Sequence, residues 1–338
     1  MSKPRQPSFW QIARGFLHDH CAKTRRLSPD TVAAYTTGLE SFLAFLETRQ
    51  VSRAEVSFEH FARAEFKAWA AWMRDTKHHA PKTIELRLTA LKAFCKYAAG
   101  EDLTLGAIAE DAASITAPKQ AKKPIEYLPN AATAAILSAH DGKTMKSRRN
   151  RMLLILLYDS AARVSEIVDV KVKDLHLAGA PFISLLGKGR KPRNMPLMSK
   201  TVEHLHVYLH ESHPDPDGER PLFHSLRNGR PAPLSTDSVT LILQHAASIA
   251  RTQCPQVPDR VYPHLIRKTR AMDLYQDGVP LPLIMQMLGH QSMATTSAFY
   301  AFATQQMMTD AIAAVTPPPL AQPATWQDET TLEALYRL

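Results

Sequence analysis

Three cysteines in 338 residues, Cys21, Cys95 and Cys254, are too few and too far apart for a disulfide framework or a cysteine-ligated zinc site. A reducing compartment suits such a chain. No run of about 18 apolar residues occurs, so no transmembrane helix is expected, and the opening MSKPRQPSFWQIARGFLHDH lacks the apolar stretch of a signal peptide. The expectation is a soluble, cytoplasmic protein without a membrane partner. The chain also lacks a Gly-x-x-x-x-Gly-Lys-Ser/Thr loop, which removes the usual signature of a nucleotide-driven enzyme, and it has no internal repeat. What it has in quantity is hydrophobic residues, 45%, enough for one large core or two ordinary ones, and this excludes a disordered or fibrous protein. Lysine and arginine number 41 against 32 acidic residues, and the net charge of +9 points to an acidic partner, nucleic acid or an anionic membrane, between which composition does not choose.

Helical periodicity dominates the first third. Ser28 can cap and Pro29 suits a first helical position, while Val32, Tyr35, Leu39, Phe42, Leu43 and Leu46 recur at three- and four-residue steps. Similar stripes cover Glu65 to Arg74 and Lys82 to Ala98, and with Phe9 to His20 they predict a four-helix domain over 8–112. Between Ala113 and Pro129, proline- and lysine-rich ITAPKQAKKPIEYLP loses the periodicity and reads as a linker. A second domain over 130–312 is mainly α with a small antiparallel sheet. Met152 to Ala162 reads as a buried helix, and Pro181 to Leu197 as two short strands around a basic turn. Helices are expected again over Asp237 to Ala250, Pro263 to Gln276 and Leu281 to Met287, with a last one from near Thr295. A proline-containing tail occupies 313–338 and ends in TLEALYRL.

Five motifs follow one another in the second domain: ARVSE at Ala162 to Glu166, GKG at Gly187 to Gly189, HLIR at His264 to Arg267, LGH at Leu288 to His290, and Tyr300. Two arginines, a lysine and two histidines can surround a phosphate with charged donors, and a tyrosine hydroxyl can attack it. Spacing alone carries little, because His-x-x-Arg also occurs at His60/Arg63 and at His224/Arg227. Order and context carry more.

In that order, and in the segments ARVSEIVDVKVKDL, LLGKGRKPRNMPL and HLIRKTRAMDLYQDGVPLPLIMQMLGHQSMATTSAFY, the second domain resembles the tyrosine recombinase (phage integrase) family. The N-terminal helices, with LSPDTVAAYTTGLESFLAFL, are similar to that family's core-binding domain, which clamps DNA. The resemblance covers roughly residues 8 to 312. It implies a site-specific DNA recombinase or integrase, belonging to a mobile element, that cuts and rejoins strands through a 3′-phosphotyrosine intermediate and a Holliday junction. The implied partners are double-stranded DNA and further copies of the chain, as a tetramer on paired sites, with accessory proteins a further option. No cofactor and no metal is implied. By position, Arg163 is the first catalytic arginine, Lys188 the hairpin lysine, His264 and Arg267 the histidine and second arginine, His290 the late histidine and Tyr300 the nucleophile. Arg163, Arg267 and His290 would stabilise charge on nonbridging oxygens, Lys188 would protonate the departing 5′ oxygen, and His264 would move a proton or hold the phosphate. Tyr300 comes one residue later than the family's usual spacing after His290, where Phe299 stands, and Lys268 follows Arg267 where histidine is common.

Other readings stay open beside this one. Arg163 can simply pair with Glu166 three residues on, Glu166 being structural support in either case. A DNA-binding protein that has lost transesterification fits the shifted Tyr300, and a type IB topoisomerase shares the chemistry. HLHVYLHESH, with His206, His210 and His213 on one helical stretch, suggests a metal-dependent hydrolase, but it is not His-Glu-x-x-His and has no catalytic acid. Lys82, Arg149 and Arg193 are the further candidates for contact with DNA, Arg149 lying in the basic cluster Lys146, Arg148, Arg149 and Arg151. The tail 313–338 is expected to pack on a neighbouring protomer.

Overall fold

The computed structural model describes residues 8–117, 126–187, 191–214, 217–227 and 229–289, with single residues at 309 and 333. The chain divides into two compact units, Met1–Lys123 and Pro124–Leu338.

The first unit is helical throughout. Helix α1 (Phe9–Arg14) starts at a capping box in which Ser8 Oγ accepts from the Gln11 N–H and the Ser8 N–H donates to Gln11 Oε1. It continues as a π-helical stretch over Gly15–Thr24. Helix α2 (Pro29–Thr48) has Ser28 as its cap and proline in its first turn, as the sequence predicts. Helices α3 (Arg63–Asp75), α4 (Pro81–Glu101) and α5 (Gly106–Ser114) complete it. Their apolar stripes meet in an aromatic core of Phe9, Phe16, Phe42, Phe61, Phe66, Trp69 and Phe94. Helix α5 and the buried Ile115 carry this unit past residue 112, where the sequence places the start of the linker. GAIAEDAAS has mostly small apolar residues, so its periodicity is faint although Ala112 is buried.

The second unit is mixed. Leu128, expected in the linker, is buried in its core, and its N–H donates to Thr269 Oγ1 over 3.0 Å. Helices α6 (Asn130–Ser138), α7 (Met145–Asp159) and α8 (Val164–Asp169) lead to a three-stranded antiparallel sheet of β1 (Leu175–His176), β2 (Phe182–Leu186) and β3 (Pro192–Pro196), in the order β1-β2-β3. Leu185 pairs with Arg193 and Ile183 with Met195, so these four share the core-facing side of the hairpin. After α9 (Ser199–Ser212) comes a hairpin absent from the sequence reading, β4 (His224–Arg227) with β5 (Arg230–Pro233). Helices α10 (Thr236–Arg251), α11 (Pro263–Gln276) and α12 (Leu281–Leu288) follow closely the periodicity that predicts them. The helix expected from Thr295 lies outside the described residues. Among those residues, no helix is long and apolar enough to cross a membrane.

Helix α7 begins earlier and ends sooner than Met152 to Ala162. Thr144 caps it, and Ala161, with φ at 46°, breaks the right-handed path before Ala162. This break directs the Ala161 carbonyl towards α11 and places Arg163 at the N-cap of α8.

Candidate active site

Arg163 sits where α8 begins, with its side chain 33% exposed. Its backbone N–H donates to Glu166 Oε2 over 2.8 Å and its Nη1 to Glu166 Oε1 over 2.7 Å. Glu166, in turn, lies inside the protein. Arg193 reaches it from β3 with a two-pronged contact, Nη1 to Oε1 over 2.8 Å and Nη2 to Oε2 over 2.7 Å. Burial alone would raise the Glu166 carboxyl, but the hydrogen bonds from Arg193 and Arg163 outweigh it and bring the pKa down to about 2.

Helix α11 supplies the other two described candidates. His264 lies in its first turn and Arg267 one turn on, a spacing that puts both on one face. Arg267 is 2% exposed, yet its charge is not left bare, because Nη1 donates to the Ala161 carbonyl over 2.6 Å and Nη2 donates to the Leu288 carbonyl. Burial, then the neighbouring charge of Arg163, pushes the guanidinium below its ordinary pKa without discharging it near neutrality. Those two carbonyls belong to residues just before Arg163 and just before the Gly289-His290 pair. A single side chain therefore ties three motif segments together. His264 is exposed at the surface of the unit; the protein around it, then the charges of Lys268, Arg267 and Arg163, hold its pKa below the ordinary value and favour the neutral ring.

The hairpin closes on the same place. Gly187 N–H donates to the Lys191 carbonyl over 2.9 Å, and Arg193 Nε donates to the Met287 carbonyl over 3.0 Å at the end of α12. Gly289, with φ at 60°, ends that helix in the left-handed conformation glycine favours. Arg163, His264 and Arg267 are thus brought together, while Lys188, His290 and Tyr300 lie outside the described residues. Of the three His-x-x-Arg sequences, His60/Arg63 belongs to the first unit and His224/Arg227 to strand β4, whereas His264/Arg267 lies close enough to Arg163 to feel its charge.

A family model described as the phage integrase family matches residues 126–307, and one described as the phage integrase N-terminal SAM-like domain matches 16–102. The chain belongs to the phage integrase family. As a member it is a tyrosine recombinase, the class that the ordered motifs implied. Among the relatives of this integrase-family chain, the putative integrase/recombinase y4rC of Sinorhizobium fredii is 29% identical over 315 residues, 93% of each chain. Tyrosine recombinase XerC of Pelobacter propionicus is 28% identical over 306 residues, 90% of this chain and 94% of that one. In fold, the integrase-family chain is similar to the XerH site-specific recombinase bound to palindromic difH substrate in a post-cleavage complex, with a TM-score of 0.67 at 22% identity over 88% of this chain and 83% of that one.

Two of the surface candidates have other work. Arg193, expected to face DNA, is 12% exposed in its side chain and is held by Glu166 and Met287, because strand alternation turns it to the same side as Met195. Arg149 is half-buried, with Nε and Nη2 on Asn150 Oδ1 and Nη1 on the His224 carbonyl, which fixes α7 against β4. Lys82 does sit at the surface, 64% exposed in its side chain and, among the described residues, paired with Glu85 at 2.9 Å. The histidine-rich helix dissolves as a metal site: His206 and His210 on α9 face outward, whereas His213 is buried, with Nε2 on the Leu222 carbonyl at 3.0 Å. Among the described residues no group of three His, Cys, Asp or Glu side chains could hold a metal ion.

Proposed function

We propose that this chain is a site-specific DNA recombinase or integrase acting on double-stranded DNA in the cytoplasm, with Tyr300 as nucleophile and a 3′-phosphotyrosine as the joined intermediate. The observation that carries the reading is the convergence of Arg163, Arg267 and His264, two arginines and a neutral imidazole, at one place in a chain of this family. Tyr300 attacks the scissile phosphorus while Arg163 and Arg267, with His290, carry the charge that builds on the nonbridging oxygens. Lys188 gives a proton to the departing 5′ oxygen. The depressed pKa of His264 suits it to receive the proton of the Tyr300 hydroxyl near neutrality.

The covalent phosphodiester retains the energy of the broken bond, so a 5′ hydroxyl from another strand can reverse the step without a nucleotide. Two duplexes offer four strands to exchange, and one nucleophile per strand calls for four protomers, working in pairs through a Holliday junction. The exposed Lys82 contacts phosphate, and the tail 313–338 docks on a neighbouring protomer. Removing residues 317–338 is expected to weaken assembly on paired sites while leaving binding to a single site intact, as read by gel shift.

Wild-type and Tyr300→Phe chains, incubated in chelator with nicked suicide duplexes tiled across the sequence flanking the gene, test the assignment on denaturing gels. An adduct in the wild type, mapped to Tyr300 by mass spectrometry and missing in the variant, is the expected result. Specific binding without any adduct would favour the DNA-binding protein that the shifted position of Tyr300 leaves open, and an adduct that persists in the variant would move the nucleophile elsewhere.

A further inference from the structure

The recombination reading gives work to Arg163, His264 and Arg267 but none to Arg193, the most elaborately held cation around them. All three of its donor nitrogens are engaged inside the protein, two on Glu166 and one on the Met287 carbonyl. Space for it is made by glycine on both sides. A Cβ on Gly187 would lie 3.5 Å from Arg193 Nη1 and 3.2 Å from the Lys191 carbonyl oxygen, and one on Gly289 would lie 3.4 Å from Arg193 Cδ. Arg163 differs: it gives only Nη1 to Glu166, and among the described residues its other side-chain donors are bound by no acceptor.

A carboxylate offers about four acceptor positions, and the four bonds at Glu166 fill them. Two are filled by Arg193. Were these vacated, a carboxylate that is 3% exposed in its side chain would be left with unsatisfied oxygens, a costly state. Arg163 already touches Glu166 and could turn to fill them, and the two-pronged arginine–carboxylate pair is the stronger geometry.

We propose that Arg193 is a positioning residue: by occupying both oxygens of Glu166 it prevents that carboxylate from closing on Arg163, and so keeps the free edge of Arg163 available to the scissile phosphate. This rests on Arg163 being the arginine that touches phosphate. The loss on removing Arg193 belongs to the chemical step, because affinity for DNA is spread over many phosphate contacts whereas stabilisation of the transition state is not.

The test uses the full-length chain and the suicide duplex on which the wild type forms its adduct, with single-turnover adduct formation, DNA affinity and thermal unfolding measured for each variant. Arg193→Met is expected to slow adduct formation by roughly tenfold or more, with affinity within about threefold of wild type. Arg193→Lys, which keeps the charge but cannot form the two-pronged contact, should fall between. The decisive variant is Arg193→Met combined with Glu166→Gln. With no carboxylate to draw Arg163 inward, the pair should form adduct faster than Arg193→Met alone at a temperature where thermal unfolding shows both variants fully folded, so that relief of the buried charge on stability does not account for the recovery. The double variant also buries no lone charge, so it and Arg193→Lys carry the comparison if Arg193→Met does not fold. Wild-type speed in Arg193→Met, or a double variant no faster than the single, overturns the proposal while leaving Arg163 in place. If Arg163→Ala forms adduct at the wild-type rate, the reading of Arg163 fails first and the proposal falls with it.

Discussion

Glu166 shows how much one buried carboxylate can organise. It joins the start of α8 to strand β3 through two arginines, and its low pKa means that the folded chain holds it ionised down to about pH 2. An ordinary glutamate releases its proton near 4.5, so the stability it contributes is complete above that value and is lost as pH falls towards 2. Glu166→Gln leaves Arg193 buried without its counter-charge and is expected to cost about 3–5 kcal/mol, the range for breaking one side of a buried ion pair. Urea unfolding at pH 7 reads this directly. His264 gives a second prediction at this scale. Because the mass around it and the charges of Lys268, Arg267 and Arg163 hold its pKa below 6.5, adduct formation should fall on an acid limb whose midpoint lies below 6.5, and that limb should be absent in His264→Gln.

Among the elements, α2 and α4 pass so close that glycine is required at Gly38. A Cβ built there would lie 2.4 Å from the Ala90 Cβ and 3.4 Å from the Arg87 carbonyl oxygen, and neither neighbour is the flexible end of a side chain. Gly38→Ala would otherwise gain about 1 kcal/mol of helix propensity, but the forced separation of the helices should reverse the sign. A net loss of about 1–3 kcal/mol is expected. Thermal unfolding of the full chain checks it, and a stabilised variant would mean the two helices part without cost. The α7–α8 break works at the same scale, since ending α7 at Asp159 frees the Ala161 carbonyl for Arg267.

For the molecule as a whole, the second unit carries, besides His264, three histidines whose neutral form burial favours. His140 and His213 are buried and His224 is half-buried, and burial is the first cause that lowers each of their pKa values below 6.5. The unfolded chain therefore takes up protons at these positions before the folded chain does, and stability declines as pH falls through and below 6.5. Thermal unfolding between pH 7.5 and 5.5 should show the second unit weakening first, given that among the described residues the first unit has only the half-buried His79 held down in the same way. An unfolding temperature that is flat or rises over this range would contradict it.

Local pattern was enough for the helices with strong stripes, the β2–β3 hairpin and the order of the motifs. A period of 3.6 or 2 is a local property, and Ser28-Pro29 or Gly187 is legible wherever the chain goes. The sequence also named Arg163, His264 and Arg267, though through resemblance, because His-x-x-Arg occurs three times and spacing does not rank the copies. The short helices α5 and α6 and the hairpin β4–β5 were illegible, being too small or too weakly patterned for their periodicity to rise above their neighbours. Arg193 and Arg149, candidates for DNA contact from the sequence, are engaged by acceptors of the protein itself. Alternation with Met195 signals the inward side of β3, but only the tertiary structure brings Glu166 and the Met287 carbonyl to meet the charge there. An arginine is stable inside a protein only where oxygens from distant parts of the chain converge on it, and convergence between residues 166, 193 and 287 is a property of packing that no local pattern contains.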